Sequence, residues 1–553
     1  MLRFENLTGN DALDWIGRGA ARQVAAAVNG ATAADSPWTS AERERAVASG
    51  VTRILHGYLS KWGGRLRLHA ELEDAAAHQS VQSADASGPI SAGVAPLARD
   101  VARQLDPGAR SSFAGNDTAL AAYVNGIESP DPSRAADSFH RAIAADPDFG
   151  AAYLSLIENR MAQQDRPGAE RALAIARARG SAISQVDRAR LEVLAARLSG
   201  DRAALSNSLE ALSRITPSDP NLLRALAESE LAARRFGAAV VAYQKALAAV
   251  PGDPGLLNAL GYAQAYAGDL DAAVKSLLEY ERLRPSEANP LDSIGDVYFY
   301  RNRFSEAEKY YRRSYQKDAS FLNGSSLLKA SRARLMSGDP AGAESIFAEY
   351  EAARRGAADP MIGFARAQWD YMRGKRHAGI REMTAFLAAA KVREAAALAD
   401  CQLTVWLLET GDRDGAARHG ACRFLLDPKA AASFPNPAMR VYGLLLAKDF
   451  SGALTPLRDL EQRVTPNAAE MTPVLLAWAL VETGHFEEAG KYLESTPVPP
   501  VPAPDLFSSL VVPRIFDLRA RVAEKKGDSE SAARNRKLYQ ILFDAGASSR
   551  SPQ

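Results

Sequence analysis

The 553-residue sequence holds two cysteines, too few for a disulfide framework. It has no charge of one sign to spare. Lys and Arg number 67 and Asp and Glu 66, so the formal net charge is +1. A nucleic-acid carrier or a polybasic membrane binder needs a cationic surplus, and the balance argues against both. No run approaches the ~18–20 uninterrupted apolar residues of a membrane span. The opening MLRFENLTGN has no charged segment leading into an apolar run, so it does not read as a signal peptide. Aromatic residues are scarce at 7%, while alanine is abundant. That combination favours closely packed helices over sheets, which want β-branched and aromatic side chains. With 47% hydrophobic and 24% charged residues, the chain is not globally disordered.

What is present is an internal repeat. FGAAVVAYQKALAAVP around Ala239, LDAAVKSLLEYERLRP around Ala273 and FSEAEKYYRRSYQKDA around Ala307 place their alanines 34 residues apart. Tyr243, Leu277 and Tyr311 keep that step, as do Pro251 and Pro285. Leu257, Leu260 and Gly261 recur as Leu291, Ile294 and Gly295. A period of this length signals a supersecondary unit stacked on copies of itself. The small position continues along the chain at Ala135, Ala169, Leu205, Ala239, Ala273, Ala307, Ala343, Gly379, Ala416, Ala453, Ala489 and Ala532. The last step is the longest. It contains ESTPVPPVPAPD at 494–505, a Pro-rich run that cannot be helical and reads as an inserted loop.

These residues resemble the tetratricopeptide repeat (TPR), which has a Leu-Gly pair, a Tyr, a small Ala, an aromatic and a closing Pro. The clearest copy is Leu291, Ile294, Gly295, Tyr298, Ala307 and Tyr311, with Ala319 in place of the Pro. The resemblance implies a mostly α fold, an α-solenoid of antiparallel helical hairpins over 117–545. RNRKLYQILFDAG (534–546) reads as its last helix and 546–553 as a disordered tail.

Residues 1–106 lack the repeat and read as a small α+β domain, joined through a linker at 107–116. Leu66, Leu68, Ala70 and Leu72 alternate with Arg65, Arg67, His69 and Glu71, the pattern of a half-buried strand. A partner strand lies across a WGG turn, and HQSVQSA supplies a third. Helices are expected over 10–29, over 40–49 and over 90–105, the last capped by Ser91. Phe4, Asn6 and Gly9, with Gly57, Gly64, Arg65 and Glu71 in the hairpin, resemble the TolB-like domain found ahead of TPR arrays in bacterial proteins. In that family the opening strand often continues upstream into a helix-turn-helix module or a kinase.

Chemistry is sparse. Seven histidines (His56, His69, His78, His140, His377, His419, His485) show no metal-ligand spacing and no HExxH. No P-loop, kinase signature or GxSxG elbow occurs. Gly17-Arg18-Gly19 is a lone GxG inside a helix, a weak dinucleotide signal. Cys401 and Cys422 could approach each other but read as two buried free thiols. No catalytic residues, metal or cofactor are therefore expected.

By resemblance, the first helix of each hairpin lines a concave groove. Its facing residues would be Arg224 and Glu228; Asn258, Tyr262 and Tyr266; Asp292, Asp296, Phe299 and Tyr300; then Leu328 and Arg332. Tyr and Phe give large contact area with few rotors to freeze, which suits peptide recognition. TPR domains that hold chaperone tails use a Lys and an Asn one turn apart. Arg224 and Glu228, then Asn258 and Tyr262, break that pattern. The acidic pair Asp292 and Asp296 instead suggests a ligand with positive charge.

The leading expectation is thus a non-enzymatic interaction scaffold holding a protein or peptide. The alternative is the sensory or regulatory carboxyl-terminal portion of a bacterial signalling protein, a serine/threonine kinase or transcriptional regulator, with its effector domain upstream of Met1. The sequence as written reads as cytoplasmic and without direct membrane insertion. An upstream segment would allow a periplasmic or membrane-tethered location. Composition fixes no oligomeric state.

Overall fold

The structure, a computed structural model, describes residues 3–9, 14–27, 53–75, 77, 79–107, 113–427, 430, 433, 437–463, 471–496, 498 and 508–543. The expected helix at 40–49, most of the 494–505 loop and the 546–553 tail lie outside them. The fold is mostly α, with a small four-stranded sheet ahead of the repeated helical hairpins. The chain divides into two compact units, Met1–Ala233 with Val241–Leu256, and Arg234–Val240 with Leu257–Gln553.

In the first unit the sheet runs in the order β1 (Glu5–Leu7), β2 (Arg53–Trp62), β3 (Arg65–Asp74), β4 (Gln79–Pro89). β1 pairs parallel with β2, and the other pairs are antiparallel. Gly63 and Gly64 take φ of 56° and 74° in the β2–β3 turn, a left-handed pair that L side chains resist. Leu66, Leu68 and Ala70 are buried as the alternation requires. The third strand is longer than HQSVQSA suggested. Helices Asp14–Ala27 and Ala95–Leu105 cover one face.

Ser91 does not cap the second of these helices. It sits in a 3-10 turn, Ile90–Ala92. The Asp117 carboxylate accepts instead from the Val94 and Ala95 N–H groups, at 2.9 Å each. A carboxylate at a helix N-terminus meets both its open donors and its dipole. Gly17 and Gly19 are packing residues. A Cβ at Gly17 would lie 2.1 Å from the Phe4 carbonyl oxygen, and one at Gly19 3.2 Å from the Val124 side chain. The GxG therefore lets a helix approach the Phe4 backbone and a neighbouring helix.

The repeat is written into the helices residue by residue. Each of the twelve small-position residues is the fourth residue of a helix, from Ala135 in Pro132–Ala145 to Ala532 in Ser529–Phe543. All twelve are buried. Each donates its backbone N–H to the carbonyl four residues earlier, at the residue preceding the helix. Asp supplies that preceding residue at 131, 165, 201, 269, 339, 412, 449 and 528, and its side chain accepts from the first turn.

One residue further back the chain turns left-handed. This holds at Gln164, Gly200, Arg234, Gly268, Asn302, Gly338, Gly374, Gly411, Lys448, Gly484 and Gly527. The close contact within a hairpin is equally periodic. A Cβ at Gly261 would lie 2.7 Å from Leu277, and one at Gly295 would lie 2.5 Å from Tyr311.

Among the described residues, the regular hairpin gives way at one place. After helix Arg393–Thr410 the second helix lasts four residues, Arg413–Ala416, and a 3-10 turn, Arg423–Leu426, follows. Cys401 and Cys422 are joined there as a disulfide, with Cα atoms 4.9 Å apart. The expectation of two free thiols is corrected. The shortened helix brings residue 422 back beside the middle of the long one.

Candidate functional site

The expected groove residues fall into two groups. Arg224 and Glu228 lie on helix Pro220–Ala232 in the first unit. The Arg224 guanidinium is 3.5 Å from the Asp253 carboxylate, and Glu228 is exposed. The others belong to the second unit, on helices Pro254–Ala267, Asn289–Tyr300 and Ser325–Met336.

There the acidic pair is sealed. Asp292 is 2% exposed. The Lys329 ammonium donates to Asp292 Oδ2 at 2.5 Å and to Asp296 Oδ1 at 2.9 Å. Ser326 donates to Asp292 Oδ1 at 2.7 Å. Tyr262 and Tyr311 donate to the two oxygens of Asp296 at 2.8 Å. Burial opposes the charge on Lys329, yet the Asp296 and Asp292 carboxylates outweigh it and push its pKa up to about 12. Burial, then the neighbouring Asp296, raises Asp292.

The expectation that these carboxylates attract a cationic ligand is corrected, because their cation comes from the protein itself. Phe299 is corrected too. It is 1% exposed and packs edge-on against Phe304, with ring centroids 5.1 Å apart. Asn258 is half-buried, and its Oδ1 has no hydrogen-bond partner. Arg332, also expected at the groove surface, is 3% exposed.

Tyr266 and Tyr300 do face a cleft. Their ring centroids are 5.4 Å apart, and Tyr262 and Phe236 extend the cluster at 6.3 and 5.5 Å from Tyr266. Burial, then the adjacent Tyr266, raises the Tyr300 phenol well above its ordinary value, so it remains a neutral donor. The cleft has a volume of about 330 Å³. Its opposite wall comes from helices Phe486–Glu494, Ser508–Lys526 and Ser529–Phe543.

Four cations line this cleft, Arg301, Arg519, Lys526 and Arg534, against two carboxylates, Glu494 and Asp528. Lys526 is held by Glu494 at 2.8 Å. Asp528 is committed to the Ser531 N–H. Arg519 donates to the carbonyls of Leu493 and Thr496, and burial brings its pKa down to about 10. Arg301 and Arg534 are exposed and pair with no carboxylate among the described residues. The cleft thus joins an aromatic wall to a net positive rim.

Lys329, Arg519, Lys526 and Arg534 were missed by reading the sequence. A signal for Lys329 exists. Counting nine residues back from Gly268, Asn302 and Gly338 gives Ala259, Ser293 and Lys329. A long cation at a position that is small in the two preceding hairpins must find partners inside. No such signal marks the other three.

Among the described residues, no group of three or more His, Cys, Asp or Glu is placed to hold a metal ion. No described helix is long and apolar enough to cross a membrane.

No family model matches the chain, and no curated protein matches it. Solved structures do resemble it in part. A tetratricopeptide repeat protein from Parabacteroides merdae is 16% identical over 47% of this chain and 98% of its own, with a TM-score of 0.31. The TPR protein YrrB, whose structure is described as having an unusual peptide-binding site, is 16% identical over 34% of this chain and 95% of its own, with a TM-score of 0.29. The TPR domain of P58(IPK) is 13% identical over 65% of this chain and 95% of its own, with a TM-score of 0.18. The chain is similar to these proteins in its helical-hairpin repeat.

Proposed function

We propose that the chain is a non-enzymatic interaction scaffold that holds an acidic peptide in the cleft between Tyr266, Tyr300 and the carboxyl-terminal helices. The observation that carries this reading is the pairing of an aromatic wall with a cationic surplus in one cavity. Tyrosine supplies broad contact at low rotor cost, and exposed arginines supply charge and bidentate donors. The sealed Asp292–Asp296–Lys329 network is the rigid floor on which Tyr262 and the neighbouring rings are set.

The test is selection of binders from a random peptide display library on the full chain. Enrichment of Asp- and Glu-rich peptides is expected. Their affinity should fall about tenfold or more, roughly 1.4 kcal/mol, in the Tyr266→Ala/Tyr300→Ala variant. It should fall further at low salt in Arg301→Glu/Arg534→Glu. Enrichment of basic peptides, or acidic binders indifferent to both variants, would sink the proposal.

A further inference from the structure

The carboxyl-terminal wall of the tyrosine-lined cleft carries three of its cations, Arg519, Lys526 and Arg534. Arg519 Nε and Nη2 donate to the Leu493 carbonyl at 3.2 and 2.9 Å, and Nη2 also donates to the Thr496 carbonyl at 2.7 Å. None of these bonds goes to a carboxylate. The third nitrogen, Nη1, has no hydrogen-bond partner among the described residues, and it is not sealed from water as the Arg332 nitrogens are. It is the donor that Arg519 has left to give in the cleft it lines.

Lys526 stands two turns further along the same helix, Ser508–Lys526. Both side chains lean on helix Phe486–Glu494. A Cβ at Gly490 would lie 3.1 Å from the Lys526 ammonium, and Gly490 is one turn from Leu493, whose carbonyl holds Arg519. The missing side chain lets the ammonium settle on the stretch of helix that also anchors the guanidinium. Lys526 spends one of its three donors on Glu494. Arg534 spends one on Ser531 Oγ, at 3.1 Å, and is exposed.

Charge and donor geometry both separate the anion that suits this wall from a carboxylate. Four cations against two carboxylates leave the cleft a surplus of two positive charges. A phosphomonoester carries about −1.5 to −2 at pH 7, where a carboxylate carries one negative charge. A planar carboxylate gains most from two nitrogens along one edge of a guanidinium. Nη2 belongs to both such edges of Arg519, and carbonyls already occupy it. A tetrahedral phosphate instead accepts single donors from several directions. We infer that the acidic peptide of this cleft carries its charge as a phosphorylated side chain, with the phosphate on Arg519 Nη1, Lys526 and Arg534 and the flanking residues against Tyr266 and Tyr300. This assignment rests on the acidic-peptide reading and narrows it.

The experiment measures binding of three fluorescent peptide pools to the full chain. The pools share degenerate flanks and differ at one fixed central residue: phosphoserine, glutamate or serine. The phosphoserine pool should bind at least tenfold tighter than the glutamate pool, and the glutamate pool tighter than the serine pool. Lys526→Gln/Arg534→Gln should cost phosphoserine binding at least tenfold and glutamate binding less. A phosphate gives up its second charge near pH 6. No histidine is among the described residues that line the cleft, and Arg, Lys, Tyr, Asp and Glu ordinarily titrate outside pH 5.5–7.5. Phosphoserine binding should therefore weaken at least threefold from pH 7.5 to 5.5, while glutamate binding holds. A glutamate pool as tight as the phosphoserine pool would overturn the phosphate assignment and leave the acidic-peptide reading standing. Three pools of equal affinity would sink both. Inorganic phosphate that competes as well as the phosphoserine pool itself would show capture of a free anion only and overturn the assignment. So would phosphoserine binding that survives the double variant. The ranking of the pools is read on the unmutated chain, so it decides the matter even if the variant fails to fold.

Discussion

Between residues 289 and 317, two helices of 12 and 14 residues close on each other through Gly295 and Tyr311. Between residues 393 and 426, a helix of 18 residues is followed by one of four. The first region is held by repeated side chains and a buried polar network. The second has lost most of a helix, and with it the face that would pack in return. A disulfide and a carboxylate stand in its place. Asp400 accepts the N–H groups of Gly420 and Ala421 at 2.8 and 2.6 Å, and it meets His419 Nδ1 at 2.7 Å. Where repeat packing thins, covalent and hydrogen-bonded ties take over the bend.

Three measurements would break or sharpen that contrast. The largest effect is expected where the regular region meets helix Ser325–Met336. Lys329→Met leaves Asp292 and Asp296 buried without their cation and should cost about 3–5 kcal/mol in urea unfolding. Adding Asp292→Asn and Asp296→Asn should restore part of the loss. If the single variant is as stable as the parent, the network is not what fastens this region.

Next comes the bend. Cys401 and Cys422 are 21 residues apart in sequence, and a loop of that size implies about 3 kcal/mol from the cross-link. The double Ser variant, or the reduced chain, should lose about that much. Hydrogen exchange should quicken over 393–426 while 289–317 keeps its protection. Uniform quickening would mean that the two regions unfold as one.

The smallest effect is a pH response at Asp400. Burial would raise its pKa, but the Ala421 N–H, His419 and the Gly420 N–H outweigh it and hold the carboxyl below its ordinary value. A depressed carboxylate contributes stability above its unfolded pKa of about 3.9 and loses it as pH falls through the lower folded value. Wild type should therefore exceed Asp400→Asn in stability at neutral pH, and the gap should close below about pH 4. A gap that persists in acid would assign the effect to something other than ionisation.

The hairpins were legible because their requirement is local and periodic. A small residue must recur wherever two backbones meet, and every position from Ala135 to Ala532 fell at the same place in a helix. The aromatic side of the cleft was legible in part, since Tyr266 and Tyr300 follow the repeat. Phe299 was misread because an aromatic beside the groove position can as readily turn inward. The cationic wall was hidden for another reason. Arg519 and Lys526 stand more than 200 residues from Tyr300 in sequence, and nothing near either records that they meet. The disulfide was obscured by a regular expectation. Full-length helices would have kept Cys401 and Cys422 as separate buried thiols, and a helix of four residues brought them together.

The left-handed turn before the second helix bears on how such a chain can change over time. At eleven hairpins the constant element is a backbone angle rather than a side chain, shared by Gly at seven and by Gln164, Arg234, Asn302 and Lys448 at the rest. A unit marked this way can shed its Leu, Tyr and Pro and still stack in register. Drift in the visible signature then erases likeness to sequence profiles well before it alters the architecture.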